Sequence, residues 1–223
     1  SIFVNEKQFN NSEDFKNYPR NKGKDYDFCD EHNVDVIFEP TSEEIYKDHQ
    51  NKLENKYFKN ILCDAYRPNH FDGVITVLDR LFSIVNSNKV YFGEKDYQQL
   101  KIVEKYIKEN YPNLKLISVP TFRTEKNIAF SSRNKNLSKN QLHEFETFHN
   151  ATLEFVFKLD KNINIEDANV LAKEFIKKQN IEKFDYFEFR NTSSLELEGK
   201  ISDARLFYAI FRGQNRLIDN IDF

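Results

Sequence analysis

Hydrophobic residues in the first 120 positions form short apolar runs that alternate with segments of helical spacing. The runs at 1–4, 34–38, 90–92 and 114–119 have the length and β-branched character of strands. Apolar residues recur at steps of three and four over 70–86 and 94–109, which predicts two amphipathic helices. Thr41 and Glu44 have the spacing of a capping box at another helix start. This alternation favours βαβ units and a parallel sheet.

The order of elements changes after about residue 120. Two helical segments, 139–156 and 165–179, precede strand candidates at 184–190, 205–211 and 216–219. Residues 213–215 (Gly-Gln-Asn) predict a hairpin turn between the last two strands. We therefore predict an α/β protein with one domain at 1–121 and a smaller α+β domain at 122–223.

Composition narrows the classes of function. The chain has 33 basic and 36 acidic residues and a net charge of −3, which is not the strong positive field typical of nucleic-acid binding. It has no run of about 18 apolar residues, the length that a membrane span needs. Cys29 and Cys63 are too few for a disulfide framework or a zinc site and fit a reducing compartment. We expect a cytoplasmic protein that binds neither nucleic acid nor membrane.

The strongest candidate site is the predicted strand–glycine–helix segment 91–100. Gly93 allows a ligand to approach the backbone, and the helix start after it offers free amides to a phosphate. Lys95 in the first helical turn opposes the helix dipole unless an anion compensates, and Gln99 lies one turn further on the same face. Ligands of open α/β sheets bind at the carboxyl ends of strands, where this turn lies. An ordinary solvated helix start is the alternative.

Three other polar segments are candidates for binding. Hydroxyl and guanidinium groups at 131–133 (Ser-Ser-Arg) can cradle an anion, with a capped polar loop as the alternative. Asn5 and Gln8 follow the first predicted strand, and their amides suit hydroxyl and carboxylate recognition, although such residues are also common in turns. Arg67 and His70 bind a carboxylate or belong to a surface loop. The other histidines lack metal-ligand spacing and are interpreted as structural or surface residues: His32, His49, His143 and His149.

Several segments, taken in order, resemble one family. They are residues 1–9 (SIFVNEKQF), 18–20 (YPR), 67–74 (RPNHFDGV), 92–100 (FGEKDYQQL), 119–123 (VPTFR), 131–134 (SSRN) and 216–220 (RLIDN). The sequence is similar in this way to the bacterial pantoate–β-alanine ligases over essentially its whole length. The resemblance implies a Rossmann-like nucleotidyltransferase domain with a parallel sheet at 1–121 and a smaller α+β domain at 122–223.

The resemblance also implies a reaction. Members of the family condense pantoate with β-alanine, using ATP and Mg²⁺, in the pathway to pantothenate and coenzyme A. The pantoate carboxylate attacks the α-phosphate to give pantoyl adenylate and pyrophosphate, and the β-alanine amine then displaces AMP. A homodimer is the expected assembly.

Site residues are assigned by matching position within the resemblance. The ATP site would comprise Gly93, Glu94, Lys95, Asp96, Phe122, Phe130, Ser131, Ser132 and Arg133, with Lys95, Ser131, Ser132 and Arg133 taking part in catalysis. Pantoate and β-alanine would be bound by Asn5, Gln8, Arg67, His70 and Gln99. Asp25 matches an acidic position near Mg²⁺, although the preceding position, often acidic in relatives, is Lys24.

The sequence departs from the family pattern at three places. In family members, the motif Pro-Thr-Met-Gly-x-Leu-His-x-Gly-His precedes the segment that matches residues 1–9, and this sequence does not contain it. We therefore expect a sheet that lacks its N-terminal strand, and a chain that is poorly stable and weak or inactive as a ligase. Glu6 stands for a proline, and residues 126–128 (Lys-Asn-Ile) replace Asp-Gly-Leu, which removes a glycine near ATP. A non-catalytic short homologue that binds nucleotide or a partner is the main alternative. A relative acting on another carboxylate is a further one.

Overall fold

Helices and strands alternate in the computed structural model, which describes residues 1–10, 12–47 and 52–223. The helices are α1 (Ser12–Lys16), α2 (Lys22–Glu31), α3 (Ser42–Tyr46), α4 (Leu62–Tyr66), α5 (His70–Val85), α6 (Tyr97–Asn110), α7 (Lys139–Lys158) and α8 (Ile165–Lys178). The strands are β1 (Lys89–Gly93), β2 (Lys115–Val119), β3 (Phe184–Asn191), β4 (Ala204–Arg212) and β5 (Asn215–Asp222). Short 3₁₀ turns occupy Glu6–Gln8, Glu94–Asp96, Ser132–Asn136 and Ile201–Asp203. Within these residues, no helix has both the length and the apolar character needed to cross a membrane.

These elements form two units. Unit 1 comprises Ser1–Asn88 and Asn110–Leu114, and unit 2 comprises Lys89–Glu109 and Lys115–Phe223. The boundary predicted between 1–121 and 122–223 follows the order of elements, whereas the two units follow contacts in space. The predicted boundary stays a prediction.

Helix α5 is the longest element of unit 1. Its apolar residues, spaced by three and four, bury one face, and Asn69 and Asn86 bound it in the left-handed conformation. Helix α3 begins at Thr41, whose hydroxyl accepts the N–H of Glu44 (3.2 Å), while the Glu44 carboxylate accepts the N–H of Thr41 (2.7 Å). The predicted helix over 70–86 and the predicted capping box are therefore confirmed.

Two predicted strands of unit 1 are wrong. Residues 1–4 and 34–38 have no strand ladder in the part of the chain that the structure describes, although the N–H of Ile2 donates to the carbonyl of Phe38 (2.9 Å). A strand needs a series of bonds to a neighbour at matching register. β-Branched residues fit a pleated surface, so their presence predicts an extended chain. It does not predict which neighbouring strand that chain pairs with.

Unit 2 contains one parallel and one antiparallel sheet. Strands β1 and β2 pair in parallel from Lys89↔Lys115 to Gly93↔Val119, with α6 between them in sequence, which confirms the predicted βαβ unit. Strands β3, β4 and β5 form an antiparallel sheet in that order. The hairpin between β4 and β5 turns at Gly213, whose φ of 57° suits glycine.

Aliphatic and aromatic side chains of α7, α8 and the antiparallel sheet together form the core of unit 2. Phe148 of α7 meets Tyr208 of β4 edge to face with ring centroids 5.4 Å apart. Phe155 of α7 stacks on Phe175 of α8 at 4.5 Å. Such ring pairs stabilise the fold beyond the burial of their apolar area, so they stabilise the packing of α7 and α8 on the antiparallel sheet.

Candidate active site

Three of the nine residues predicted to bind ATP line one pocket of unit 2. Lys95, Ser131 and Arg133 line this pocket together with Asn134 and Arg216. The Lys95 side chain is 20% exposed, and its ammonium lies 3.6 Å from the carboxylate of Asp96. The pocket is small, about 10 Å³, so its cationic and hydroxyl groups can meet one anionic group rather than enclose a whole polyanion.

The turn after β1 carries Lys95 into this pocket. β1 ends at Gly93, residues Glu94–Asp96 form a 3₁₀ turn, and α6 begins at Tyr97, so the predicted α-helix starts later than residue 94. Gly93 has φ −73°, which any residue adopts, and a Cβ there would meet no described atom within 4 Å. Neither backbone conformation nor packing requires glycine here, so the close approach of a ligand to Gly93 stays a prediction.

Residues 122–130 form a narrow hairpin beside the same pocket. The N–H of Thr124 donates to the carbonyl of Ile128 (2.9 Å), and the N–H of Phe130 donates to that of Phe122 (3.0 Å). Asn127, near the tip, has φ 64°. This is the left-handed region that glycine occupies freely and asparagine tolerates better than most residues, so the departure from the family's glycine is accommodated.

The base of the hairpin presents two aromatic rings and a helix cap. Phe122 and Phe130 are 76% and 56% exposed, and their ring centroids lie 5.0 Å apart. The Ser131 hydroxyl accepts the N–H of Arg133 (3.3 Å) at the start of the 3₁₀ turn that contains Ser132. The capped-loop interpretation of Ser131 is thus confirmed, and its contact with a phosphate stays a prediction.

Sequence reasoning missed the residue that holds the turn of Lys95. Asn220 on β5 donates through Nδ2 to the carbonyls of Glu94 (2.8 Å) and Lys95 (3.0 Å). Its Oδ1 accepts from Arg205 (2.7 Å), which also pairs with the Glu94 carboxylate (3.1 Å) and lies 4.3 Å from the ring centre of Tyr97. The segment 216–220 was noticed for its resemblance, but a strand asparagine gives no local sign of distant partners.

A buried network of charges supports the hairpin. Asp219 accepts two hydrogen bonds from Arg123 (2.6 and 3.1 Å), which also donates to the carbonyl of Asn127 (2.9 Å). His149 Nδ1 lies 2.8 Å from the Tyr208 hydroxyl and 3.8 Å from the Asp219 carboxylate. Burial lowers the pKa of His149 against the opposing charge of Asp219 and raises the pKa of Tyr208 well above its usual value. His149 is therefore a neutral, structural histidine, as predicted.

Within the part of the chain that the structure describes, neither the remaining histidines nor Asp25 belongs to a metal centre. His32 and His143 are exposed, and His49 lies outside the described residues. Asp25 is exposed in the first turn of α2. Among residues 1–10, 12–47 and 52–223 there is no group of three or more His, Cys, Asp or Glu that could hold a metal ion.

The predicted pantoate and β-alanine residues of unit 1 lie together. Asn5 is buried, donates through Nδ2 to the carbonyl of Gly73 (3.0 Å) and lies 3.5 Å from Gln8 Oε1. The Tyr46 hydroxyl donates to Asn5 Oδ1 (2.7 Å), and burial raises the pKa of Tyr46 to about 12, so it stays a donor. Gly73 permits this packing because a Cβ there would lie 2.3 Å from the Lys7 carbonyl oxygen.

Arg67 and His70 hold the main chain of Gln8. A carbonyl only accepts, so His70 Nδ1 donates to the carbonyl of Gln8 (2.8 Å). A guanidinium only donates, so His70 Nε2 accepts from Arg67 (2.9 Å). These partners make His70 neutral with its proton on Nδ1. Gln99, the other residue of the predicted set, lies on α6 in unit 2.

Comparisons with known proteins all point to the same family. A family model described as Pantoate-beta-alanine ligase matches residues 1–222. Pantothenate synthetase of Coprothermobacter proteolyticus is 37% identical over 235 residues, which cover 99% of this chain and 80% of that protein. The crystal structure of pantothenate synthetase from Thermus thermophilus has a TM-score of 0.86 at 31% identity, covering 99% and 81% of the two chains.

A second solved structure carries ligands. Pantoate-beta-alanine ligase from Francisella tularensis, crystallised with beta-gamma ATP and beta-alanine, has a TM-score of 0.76 at 32% identity, covering 99% of this chain and 77% of that one. The chain thus spans about four fifths of the length of these relatives. The predicted α/β nucleotidyltransferase-like fold with a smaller C-terminal domain is confirmed.

Proposed function

The chain belongs to the pantoate–β-alanine ligase family, and we propose that it joins pantoate to β-alanine through a pantoyl adenylate, releasing pyrophosphate and AMP. The observation that carries the proposal is the pocket that Lys95, Ser131 and Arg133 line together. The structure of the relative from Francisella tularensis, solved with beta-gamma ATP and beta-alanine, supports ATP and β-alanine as substrates in this proposal.

Both proposed steps are displacements that need no bond to the protein. A carboxylate oxygen of pantoate attacks the α-phosphorus of ATP, and the bond from that phosphorus to pyrophosphate breaks. The amine of β-alanine then attacks the acyl carbon, AMP leaves with the former carboxylate oxygen, and the amine loses a proton. The protein contributes positioning and neutralisation of charge, which Lys95 and Arg133 supply at the phosphates.

The remaining site residues have compatible chemistry. Gln8, whose main chain is held by Arg67 and His70, offers an amide to the hydroxyl and carboxylate groups of pantoate in this proposal. The exposed rings of Phe122 and Phe130 offer apolar faces to a nucleobase.

The predictions of a Mg²⁺ ion and of a homodimer rest on different grounds. The described residues contain no metal-binding cluster and Asp25 is exposed, so these residues do not fit a protein-held Mg²⁺ and neither step above involves the ion. The proposal extends to a cytoplasmic homodimer, for which the family resemblance is the support.

Isotope transfer tests the reaction. The gene product, as it is translated, is incubated with ATP, β-alanine and pantoate labelled with ¹⁸O in its carboxylate. We expect AMP release that depends on pantoate and β-alanine, with the label in the phosphate of AMP. Label in inorganic phosphate, together with ADP, would overturn the adenylate. ATP binding without release of AMP would favour the non-catalytic homologue instead.

A lysine exchange tests the pocket. Removal of one preorganised donor to developing charge costs about 10²–10³ in kcat, so we expect a loss of that order for Lys95→Ala. Lys105→Ala removes an exposed lysine of helix α6, the helix that follows the turn of Lys95, and this matched control should keep the wild-type rate. Equal rates for the two variants would refute the role of Lys95.

A further inference from the structure

We propose that Asn220 is the positioning residue that sets the direction of the Lys95 side chain, an inference that rests on the function proposed above. Asn220 is 3% exposed on β5 and is not among the residues that the family resemblance assigns to substrates. Its side-chain Nδ2 bridges two successive carbonyls, those of Glu94 (2.8 Å) and Lys95 (3.0 Å).

The two bridged carbonyls lie on either side of the Lys95 Cα. The carbonyl of Glu94 belongs to the peptide plane before that atom, and the carbonyl of Lys95 belongs to the plane after it. Peptide groups are planar, so holding both carbonyls fixes φ and ψ of Lys95. These two angles determine the direction of the Cα–Cβ bond, from which the long side chain extends into the pocket it lines with Ser131 and Arg133.

Arg205 determines which way the Asn220 amide faces. Its guanidinium has only donors, so the oxygen of the amide faces Arg205 (2.7 Å) and the nitrogen faces the carbonyls. Arg205 also pairs with the Glu94 carboxylate (3.1 Å), which closes a ring through Glu94, Asn220 and Arg205. An aspartate in place of Asn220 would satisfy Arg205 but would set an oxygen against two carbonyl oxygens.

The main chain of Asn220 is held as firmly as its side chain. Its carbonyl accepts from Arg123 (3.0 Å), and its N–H donates to the carboxylate of Asp219 (2.8 Å). Arg123 belongs to the hairpin at 122–130. Asn220 therefore joins two segments of the ATP site, the turn of Lys95 through its amide and the hairpin through its backbone.

A pair of isosteric exchanges tests the role. Asn220→Asp keeps the acceptor for Arg205 and loses both donors. Asn169→Asp is the matched control, because the Asn169 amide also bridges backbone groups of unit 2, donating to the carbonyl of Phe189 (2.9 Å) and accepting its N–H (2.7 Å), away from the turn. We expect pyrophosphate release in a single turnover with pantoate and ATP to slow at least tenfold in Asn220→Asp and to stay within twofold in Asn169→Asp.

A second measurement does not depend on turnover. Acetylation of Lys95 by a water-soluble active ester, followed by peptide mass spectrometry, should be slowed by ATP in the wild type and in Asn169→Asp but not in Asn220→Asp. Equal effects of the two exchanges on pyrophosphate release and on protection would overturn the positioning role. If Asn220→Asp does not fold, Asn220→Ala is read by the same two assays.

The outcomes separate the two proposals. A wild type that releases no pantoate-dependent pyrophosphate refutes the function proposed above. Protection of Lys95 by ATP alone then still decides the inference: loss of protection in Asn220→Asp but not in Asn169→Asp supports it, and protection retained in both overturns it.

Discussion

Gly73→Ala tests whether the contact of residues 5–8 with α5 shapes the proposed pantoate site of unit 1. A Cβ on Gly73 would lie 2.3 Å from the carbonyl oxygen of Lys7, 2.6 Å from its carbonyl carbon and 2.8 Å from the nitrogen of Gln8. These are backbone atoms, so no side chain can rotate out of the way. Ordinary contact begins near 3.4 Å, and the segment must therefore move by about 1 Å.

Three effects set the size of the response. Overpacking costs about 1–3 kcal/mol, and weakening the bond from Asn5 Nδ2 to the Gly73 carbonyl (3.0 Å) costs about 0.5–1.5 kcal/mol. Alanine inside a helix recovers about 1 kcal/mol relative to glycine. The balance is a loss of about 0.5–3.5 kcal/mol in the free energy of unfolding. A displacement of Gln8 by about 1 Å should also lower kcat/KM for pantoate on the order of 100-fold.

Urea unfolding and initial rates at varied pantoate measure the two effects. Gly23→Ala is the matched control, because a Cβ at that exposed position of α2 would meet only Asn21 Oδ1, at 3.9 Å. That variant should be as stable as the wild type or more stable by up to about 1 kcal/mol. ATP affinity, measured by equilibrium dialysis, should be unchanged in both variants. Wild-type stability together with wild-type pantoate dependence in Gly73→Ala would refute the reasoning.

Two further predictions concern the buried network of unit 2. Asp219→Ala removes the carboxylate that Arg123 contacts at 2.6 and 3.1 Å, and it should cost about 3–5 kcal/mol in urea unfolding, whereas Asp222→Ala, whose carboxylate is 70% exposed, should cost about 1 kcal/mol or less. Comparable losses in the two variants would contradict this. Because burial lowers the pKa of His149 below its usual 6.5, below that pH the unfolded chain binds a proton that the folded chain does not. As the pH is lowered below 6.5, the free energy of unfolding should then fall by up to about 1.4 kcal/mol per pH unit. If His149→Gln shows the same dependence on pH, this histidine is not its source.

Elements whose information is local could be predicted from the sequence. The capping box of Thr41 and Glu44 needs only four residues, and the apolar face of α5 needs only its own spacing. Residues 1–4 and 34–38 resemble β2 in composition but have no ladder in the described chain, because pairing depends on a neighbour that the segment itself does not specify.

The candidate site divides in the same way. Lys95, Ser131 and Arg133 could be predicted because motifs carry them, and the structure places them on one pocket. Asn220 and Asp219 could not be assigned a role. Asn220 lies 126 residues from the carbonyl of Glu94 that it holds, and Asp219 lies 96 residues from Arg123. Alternation along a strand predicts which face a residue takes but not which distant group it meets.

The register of β4 and β5 therefore decides the geometry of the proposed ATP site. Asp219 and Asn220 are neighbours on β5 and so face opposite sides of the sheet. Asp219 binds Arg123 of the hairpin at 122–130, and Asn220 binds the turn of Lys95. Tyr208 pairs with Asp219, and Arg205 pairs with Asp222, two positions beyond Asn220. A slip of one residue would exchange the two faces, so Asn220 would leave the turn of Lys95 and Asp219 would leave Arg123 together. We therefore expect the turn at Gly213 and the core of unit 2, which hold this register, to affect the proposed reaction although they touch no substrate in it.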